Sequence, residues 1–243
     1  MHCTGQTHVG LVRSNNQDIL DYGVLGETMQ YAVVCDGMGG ANGGNIASNI
    51  AVRVIVERIK EAVQDGHLKS AAQHVLESAM AAANFEVYDR AQSDVQLDGM
   101  GTTVVAAITC GRMAYISHVG DSRLYRLHEN ELIPVTRDHS VVQEMVESGQ
   151  LTEEEARSHP RKHFITRALG VSEMESGEYD ELELTAGDRL LLCTDGLTNM
   201  VEPTLIRQII QDNTIEDAVP ALVQAALDGG GTDNITVLLL DVD

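Results

Sequence analysis

Basic side chains are scarce in this 243-residue chain: 16 lysines and arginines face 37 aspartates and glutamates, for a formal net charge of −21. No Lys/Arg cluster or basic stripe interrupts the excess, which excludes a surface built to meet a nucleic-acid backbone. Long apolar runs are missing as well. No stretch reaches the ~18 consecutive apolar residues of a membrane span. The opening MHCTGQTHVG has neither the basic nor the apolar region of a secretory signal. The expectation is a cytoplasmic protein without membrane attachment. Cysteine is sparse: Cys3, Cys35, Cys110 and Cys193 are widely spaced, form no CxxC pair, and three of them lie in apolar runs. That pattern suits free thiols in a reducing compartment and argues against a structural zinc site. Pro/Ser-rich linkers, internal repeats and low-complexity tracts are also lacking, so one domain over residues 1–243 is expected.

What is present is a set of short apolar strands interrupted by helical blocks. TMQYAVVC (28–35) reads as a buried strand, and 44–64 and 67–92 as long amphipathic helices. TTVVAAITC, MAYISHVG, SRLYRLHE and ELIPVT, separated by Gly or Glu-Asn turns, describe an antiparallel meander. A short helix near VVQEMVESG follows, then a polar segment, QLTEEEARSHPRKH, and the region 141–163 is expected to form a surface flap. Strands at YDELELT and RLLLCT, two helices between about residues 202 and 227, and a last strand NITVLLLDV complete the chain. Strands and helices segregated into layers are the economical arrangement.

In VVCDGMGGANGG, an aspartate ends an apolar run and five glycines follow within eight residues. Asp-Gly is a common hairpin signal, and glycine also lets a backbone pass close to a ligand. A phosphate loop fits neither register: the dinucleotide pattern lacks its third glycine, where Asn42 stands, and no Gly-Lys-Ser/Thr follows. The aspartate is not alone. Asp121 in SHVGDSR, Asp195 in LLLCTDGL and Asp233 in GGGTDNITV stand in the same context, at a strand end beside Gly, Ser or Asn. Any one of them reads as a turn. Four together indicate groups presented by a rigid scaffold. Converging carboxylates need a cation, and oxygen ligands without cysteine or paired histidine point to magnesium or manganese. Calcium loops fit poorly, since no Asp-x-Asp-x-Asp-Gly occurs. Near the N-terminus, THVGLVRSNNQD alternates like an edge strand and carries Arg13 and Asp18. An arginine on a strand is ordinarily a solvated residue, but a guanidinium beside an acidic metal site matches the non-bridging oxygens of a phosphate monoester.

The ordered series GLVRSNNQD, VVCDGMGG, GMGTTVV, HVGDSRLYR, TRDHS, ITRALG, LLCTDGLT and GGTDNITV resembles the metal-dependent protein phosphatase family, the type 2C serine/threonine phosphatases, in their small bacterial form. The likeness runs from about Thr7 to Leu240. It implies an α+β fold, a four-layer α-β-β-α sandwich of two antiparallel sheets flanked by helix pairs. It implies two tightly bound Mn2+ or Mg2+ ions held by Asp36, Gly37 through its carbonyl, Asp195 and Asp233. Asp121 takes a third, weaker ion, Asp18 a metal contact through water, and Arg13 the phosphate. Asp36 and Arg13 are thereby the catalytic positions. The implied reaction is hydrolysis of phosphoserine and phosphothreonine in proteins by a water or hydroxide bridging the ions, without a phosphoenzyme. Partners are phosphoproteins, substrates of a cognate Ser/Thr kinase, and the implied state is a monomer. The Cys-x5-Arg loop of tyrosine phosphatases has no counterpart around Cys35 or Cys193.

One position departs from the family's eukaryotic members. They read Asp-Gly-His where this chain has Asp36, Gly37 and Met38, and methionine cannot donate a proton. The general acid is left open between metal-bound water and a histidine, with His118 and His139 in motif contexts. GMGTT and ITRALG read as packing and turn elements, with Gly101 and Gly170 as possible borders of the cleft. Two rivals stay in view: a phosphoprotein-binding regulatory module of the same fold, and a magnesium-dependent phosphohydrolase acting on small esters.

Overall fold

Period-2 patterning explains the layers. The structure, a computed structural model, describes residues 2–26, 28–64 and 68–242, and gives only the backbone of Ala41, Asn42 and Leu68 to Ser70. One antiparallel sheet is ordered β1 (His2–His8), β11 (Ile235–Asp241), β10 (Arg189–Cys193), β7 (Arg123–His128), β8 (Glu131–Pro134). The other is ordered β2 (Asp18–Val24), β3 (Met29–Met38), β5 (Val104–Cys110), β6 (Met113–Val119), β9 (Glu178–Glu183), with β4 (Gly101–Thr102) pairing the end of β3. Along β10 and β11, Leu190, Leu192, Leu238 and Leu240 point at the second sheet, where they meet Val34, Val105, Ala107 and Ile116. Their neighbours Leu191, Cys193, Val237 and Leu239 point the other way, against Ile206 and Ile210 of α6 (Pro203–Asp212) and Leu222 and Val223 of α7 (Ile215–Asp228). On the far side, Val33, Cys35, Ala106 and Ile108 pack under Ile55 and Ile59 of α1 (Gly40–Gln64) and Leu76 and Met80 of α2 (Leu68–Gln92). Strands that bury both faces read as continuous apolar runs, and each such Leu or Ile contributes about 1.5–3 kcal/mol on burial. The result is the expected α-β-β-α sandwich, with one apolar layer between the sheets and one under each helix pair.

Several local expectations change. The four-strand meander is divided between the sheets: β5 and β6 form a hairpin in one, β7 and β8 in the other. The chain changes sheets at Gly120–Ser122. Gly120 has φ +102, and a Cβ there would lie 2.5 Å from the Thr103 side chain. The segment around Arg13 is no edge strand, because β1 stops at His8 and residues 9–17 form a loop. Gly10 (φ +82) turns it, approaching Asp233 so closely that a Cβ would fall 2.2 Å from the Asp233 carbonyl oxygen. The first long helix begins at Gly40 and not at 44, while the expected start of the second at His67 lies outside the described residues. Within 141–163 the polar segment folds into two short helices, α3 (Val141–Glu147) and α4 (Glu153–Ser158). α4 starts with a capping box in which Thr152 and Glu155 bond each other's backbone N–H.

Candidate active site

The two sheets bring the ends of β3, β6, β10 and the start of β11 to one edge of the sandwich, where an open cleft of about 650 Å³ is lined by Arg13, Asp36, Gly37, Asp121, Asp195 and Asp233, among others. All four strand-end aspartates therefore converge. Asp18, the first residue of β2, lies directly opposite Asp36 in the β2–β3 register and is buried behind it.

Hydroxyl groups fix Asp18. Thr194 Oγ1 donates to its Oδ2 at 2.9 Å and Thr236 Oγ1 donates to the same oxygen at 2.7 Å. The proton order behind them is determined: Asn16 Nδ2 donates to Thr7 Oγ1 at 2.8 Å, and Thr7 Oγ1 lies 2.7 Å from Thr236 Oγ1 and supplies the next hydrogen bond. Among the described residues Asp18 Oδ1 has no partner. Burial drives the Asp18 pKa up to about 7, against the two threonine bonds and helped by the charges of Asp195 and Asp233.

Asp36 is held through its backbone. Its N–H donates to Thr103 Oγ1 at 3.1 Å, and its carbonyl accepts from Thr103 N–H at 2.8 Å and Thr102 Oγ1 at 2.9 Å. GMGTT thus does more than pack; its threonines grip the strand that carries Asp36. Gly101 and Gly170 are positioned by contacts behind it: a Cβ on Gly101 would lie 2.8 Å from the Leu169 carbonyl, and one on Gly170 would lie 2.1 Å from Val87. The glycines after Asp36 answer a close approach of main chain to main chain. A Cβ on Gly37 would sit 2.0 Å from the carbonyl oxygen of Gly44, in the first turns of α1. The same logic recurs at Gly196, whose Cβ would sit 1.8 Å from the Asn234 carbonyl oxygen.

Asp195 opens the short helix α5 (Asp195–Thr198); its Oδ2 accepts from Asn199 Nδ2 at 2.8 Å, and its buried Oδ1 has no partner among the described residues. Asp233 Oδ2 accepts from Arg13 Nη2 at 2.8 Å, so the guanidinium expected to meet phosphate is paired here with an expected metal ligand. Asn234, which sequence reading did not single out, joins the two segments. Its Nδ2 donates to the carbonyls of Val9 and Asn15 at 2.9 and 3.0 Å, and its Oδ1 accepts from Gln17 N–H at 2.8 Å. The loop that carries Arg13 is thereby fastened to the start of β11. The Asp-Asn pair in the motif was the only signal for it.

Asp121 occupies the sheet-changing turn. Burial and the charge of Asp195 raise its pKa well above the carboxylate range, and burial followed by the charges of Asp18 and Asp195 does the same at Asp36. Like charges gathered this closely cannot all ionise unaided. The orphaned oxygens Asp18 Oδ1 and Asp195 Oδ1, all-oxygen donors, and mutually raised carboxyl groups fit hard divalent cations.

The sequence profile of the protein phosphatase 2C family matches residues 4–224. The chain belongs to the protein phosphatase 2C family. The serine/threonine phosphatase stp of Listeria monocytogenes is 37% identical over 246 residues, covering 100% of this chain and 96% of that protein. The serine/threonine protein phosphatase PstP of Mycobacterium tuberculosis is 36% identical over 96% of this chain and 43% of its own longer one. Among solved structures, that of the M. tuberculosis phosphatase PstP/Ppp superposes with a TM-score of 0.90 at 34% identity, covering 100% of this chain and 98% of the other. The catalytic domain of PstP in complex with two manganese ions gives a TM-score of 0.86 at 33% identity, over 100% and 98%. Membership makes this chain a serine/threonine protein phosphatase.

Among phosphatase 2C features, the histidine question changes most. His118 and His139 stack on each other (centroids 4.8 Å apart) and do not line the cleft. Burial, then the Arg167 guanidinium and His118, keep the His139 pKa below its usual range. The imidazole that does line the cleft is His163, at the end of the 141–163 segment, with Nδ1 3.9 Å from Asp195 Oδ2. Sequence reading placed it in a polar flap and passed over it. All four cysteines are free; Cys35 and Cys193 are fully buried, and burial pushes the Cys193 thiol up to about 12. Among the described residues no helix is long and apolar enough to cross a membrane.

Proposed function

We propose that the chain hydrolyses phosphoserine and phosphothreonine in proteins with two divalent cations, Mn2+ or Mg2+, held by Asp36, the Gly37 carbonyl, Asp195 and Asp233, and a weaker third at Asp121. The observation that carries this reading is the convergence of carboxylates from both sheets on one cleft beside Arg13. Ions bound there supply charge neutralisation and an activated water for in-line attack on phosphorus. The protein's own groups do the rest. Asp18 backs the site through water, fixed by Thr194 and Thr236. Arg13, already at the cleft, exchanges Asp233 for the non-bridging oxygens of the phosphate. His163 donates the proton to the leaving alkoxide, the task Met38 cannot perform. Water attacks phosphorus directly, without a phosphoenzyme; Cys35 and Cys193, buried thiols held protonated by burial, are no nucleophiles.

The substrates on this reading are phosphoproteins made by a cognate Ser/Thr kinase, met by a cytoplasmic monomer. The region 141–163 borders the cleft through His163 and acts as a flap over it. Rates on phosphothreonine and phosphoserine peptides, sugar phosphates and nucleotides, with Mn2+, Mg2+ or chelator, test the proposal. Metal-dependent preference for the peptides is expected; full activity after exhaustive chelation, or preference for the small esters, overturns it.

A further inference from the structure

Away from the metal cleft, His118, His139, Glu178 and Arg167 form a cluster that the chemistry above does not use. Its hydrogen bonds fix the tautomer of His139. Gly120 N–H donates to His139 Nδ1 at 3.0 Å, and the His139 backbone N–H donates back to the Gly120 carbonyl at 2.9 Å. With Nδ1 accepting, the ring proton of the neutral imidazole sits on Nε2, 3.1 Å from Glu178 Oε1. Arg167 Nη1 lies 3.1 Å from that carboxylate oxygen and 3.1 Å from Nε2. His118, stacked on His139, donates from Nε2 to the Arg137 carbonyl at 2.8 Å and faces Glu178 across the β6–β9 register. The ligand-type atoms of His118, His139 and Glu178 lie within 4.8 Å of one another. A cation among them must displace a guanidinium and take a nitrogen that carries the proton. The arrangement is built instead to hold the ring of His139 at fixed orientation and protonation.

Through Nδ1 the ring grips the Gly120 peptide at the turn where the chain changes sheets, and the next residue is Asp121. The same residue bonds the opposite way through its backbone: the His139 carbonyl accepts from Thr166 N–H at 2.8 Å, close to His163 and Ile165 at the cleft. We infer that His139 is a positioning residue, a neutral clamp whose Nδ1 lone pair holds the Gly120–Asp121 turn so that the Asp121 carboxylate enters the cleft beside Asp195. The inference rests on Asp121 serving a cation, as proposed above. Groups that orient a ligand from behind change metal affinity by about 10- to 100-fold when removed.

The test compares wild type with His139→Asn, His139→Gln and His139→Ala by calorimetric Mn2+ titration of the full chain. Asparagine carries an acceptor oxygen where Nδ1 stands and can still receive the Gly120 N–H. Glutamine places its polar end further out, where Nε2 stands. Being polar and similar in size, the two remain comparable even if the alanine variant fails to fold. The weakest Mn2+ site is expected to survive in the asparagine variant within about threefold and to weaken by about 10- to 100-fold in glutamine and alanine, with the two tighter ions retained. Equal affinity in all variants, or equal loss in asparagine and glutamine, overturns the clamp. Should the wild type hold only two ions, the reading of Asp121 as a ligand falls. Crystal structures of the same variants then decide: a turn kept by asparagine and displaced by glutamine supports the clamp, and an unmoved turn in both overturns it.

Discussion

Asp18 and Asp36 stand directly opposite each other on β2 and β3, two carboxylates in a cross-strand pair where opposite charges are the favourable arrangement. Without a cation this pair opposes folding whenever both are ionised. The Asp18 pKa is about 7 in the folded chain against about 4 in an unfolded one, so the folded state holds a proton that the unfolded state releases. The contribution of Asp18 to the stability of the metal-free protein is accordingly greatest at acid pH and falls as pH rises from about 4 through about 7. Thermal melts in chelator between pH 5 and pH 8 should show a falling midpoint, flattened in Asp18→Asn and reversed by saturating Mn2+. A metal-free midpoint that rises over that window removes the basis for this assignment.

On the proposed assignment Asp195 and Asp121 serve different ions. Asp195→Ala would delete a ligand of the tight pair, and turnover should fall by orders of magnitude together with one tightly bound ion. Asp121→Ala should keep both tight ions and lose only the weaker one. Metal counting by anomalous scattering or calorimetry distinguishes the outcomes, and loss of both tight ions from Asp121→Ala contradicts the assignment.

Gly196→Ala probes the turn that aims Asp195. The added methyl must occupy space 1.8 Å from the Asn234 carbonyl oxygen, so one of the two segments moves. Overpacking of this kind costs on the order of 2 kcal/mol. Because Asn234 also fastens the Arg13 loop, metal affinity and phosphate inhibition should suffer together. Denaturant unfolding and Mn2+ titration check both; an unchanged metal affinity shows that the turn tolerates the methyl without moving Asp195.

The strand-end aspartates were legible because their context repeats: an apolar run stops and a carboxylate follows beside Gly, Ser or Asn. The first long helix was legible from apolar residues at helical spacing, the second from an alanine-rich stretch free of Gly and Pro, and the layered class from their separation from the short apolar strands. What was not legible depends on partners distant in sequence. Thr194 and Thr236 lie 42 residues apart and converge on Asp18, 218 residues from Thr236, and no local pattern marks a threonine as a support. Nor does any periodicity show that β6 and β7 belong to different sheets, since the turn at Gly120 looks like any Gly-Asp hairpin. The capping box of α4 was readable in Thr152 and Glu155, but the density of charge around it suggested a loop.

Arg13 is expected to hold phosphate oxygens and not metal. Arg13→Ala should weaken phosphate binding by the worth of a charge-assisted contact, about 1.5–3 kcal/mol or roughly 10- to 150-fold. Since its partner Asp233 is then free, metal affinity should hold or rise slightly. Lysine restores charge without the planar fork and should fall between alanine and wild type. The measurements are kcat and KM on a phosphothreonine peptide, with inhibition by inorganic phosphate. Phosphate bound equally tightly by all three proteins reduces Arg13 to a surface arginine.

His163 offers a test that depends on the leaving group. An alkoxide leaving from phosphothreonine is a strong base and needs a proton as the bond to phosphorus breaks, whereas the p-nitrophenolate of an aryl phosphate leaves readily without one. General acid catalysis is worth about 10²- to 10⁴-fold, and it acts on the step in which that proton moves. His163→Gln keeps a polar side chain of similar reach at the cleft but cannot supply a proton at neutral pH. The variant should therefore lose about a hundredfold or more in kcat on the phosphothreonine peptide and little on the aryl phosphate, with KM and Mn2+ affinity nearly unchanged. A lesser role, in which His163 only steadies Asp195 from 3.9 Å, makes a different demand: both substrates slow together and Mn2+ binds more weakly. Parallel loss on the two substrates thus removes the proton from His163, and the general acid must then be sought in a water of the cleft, since Met38 lines the cleft but has no proton to give, and His118 and His139 are buried outside its lining.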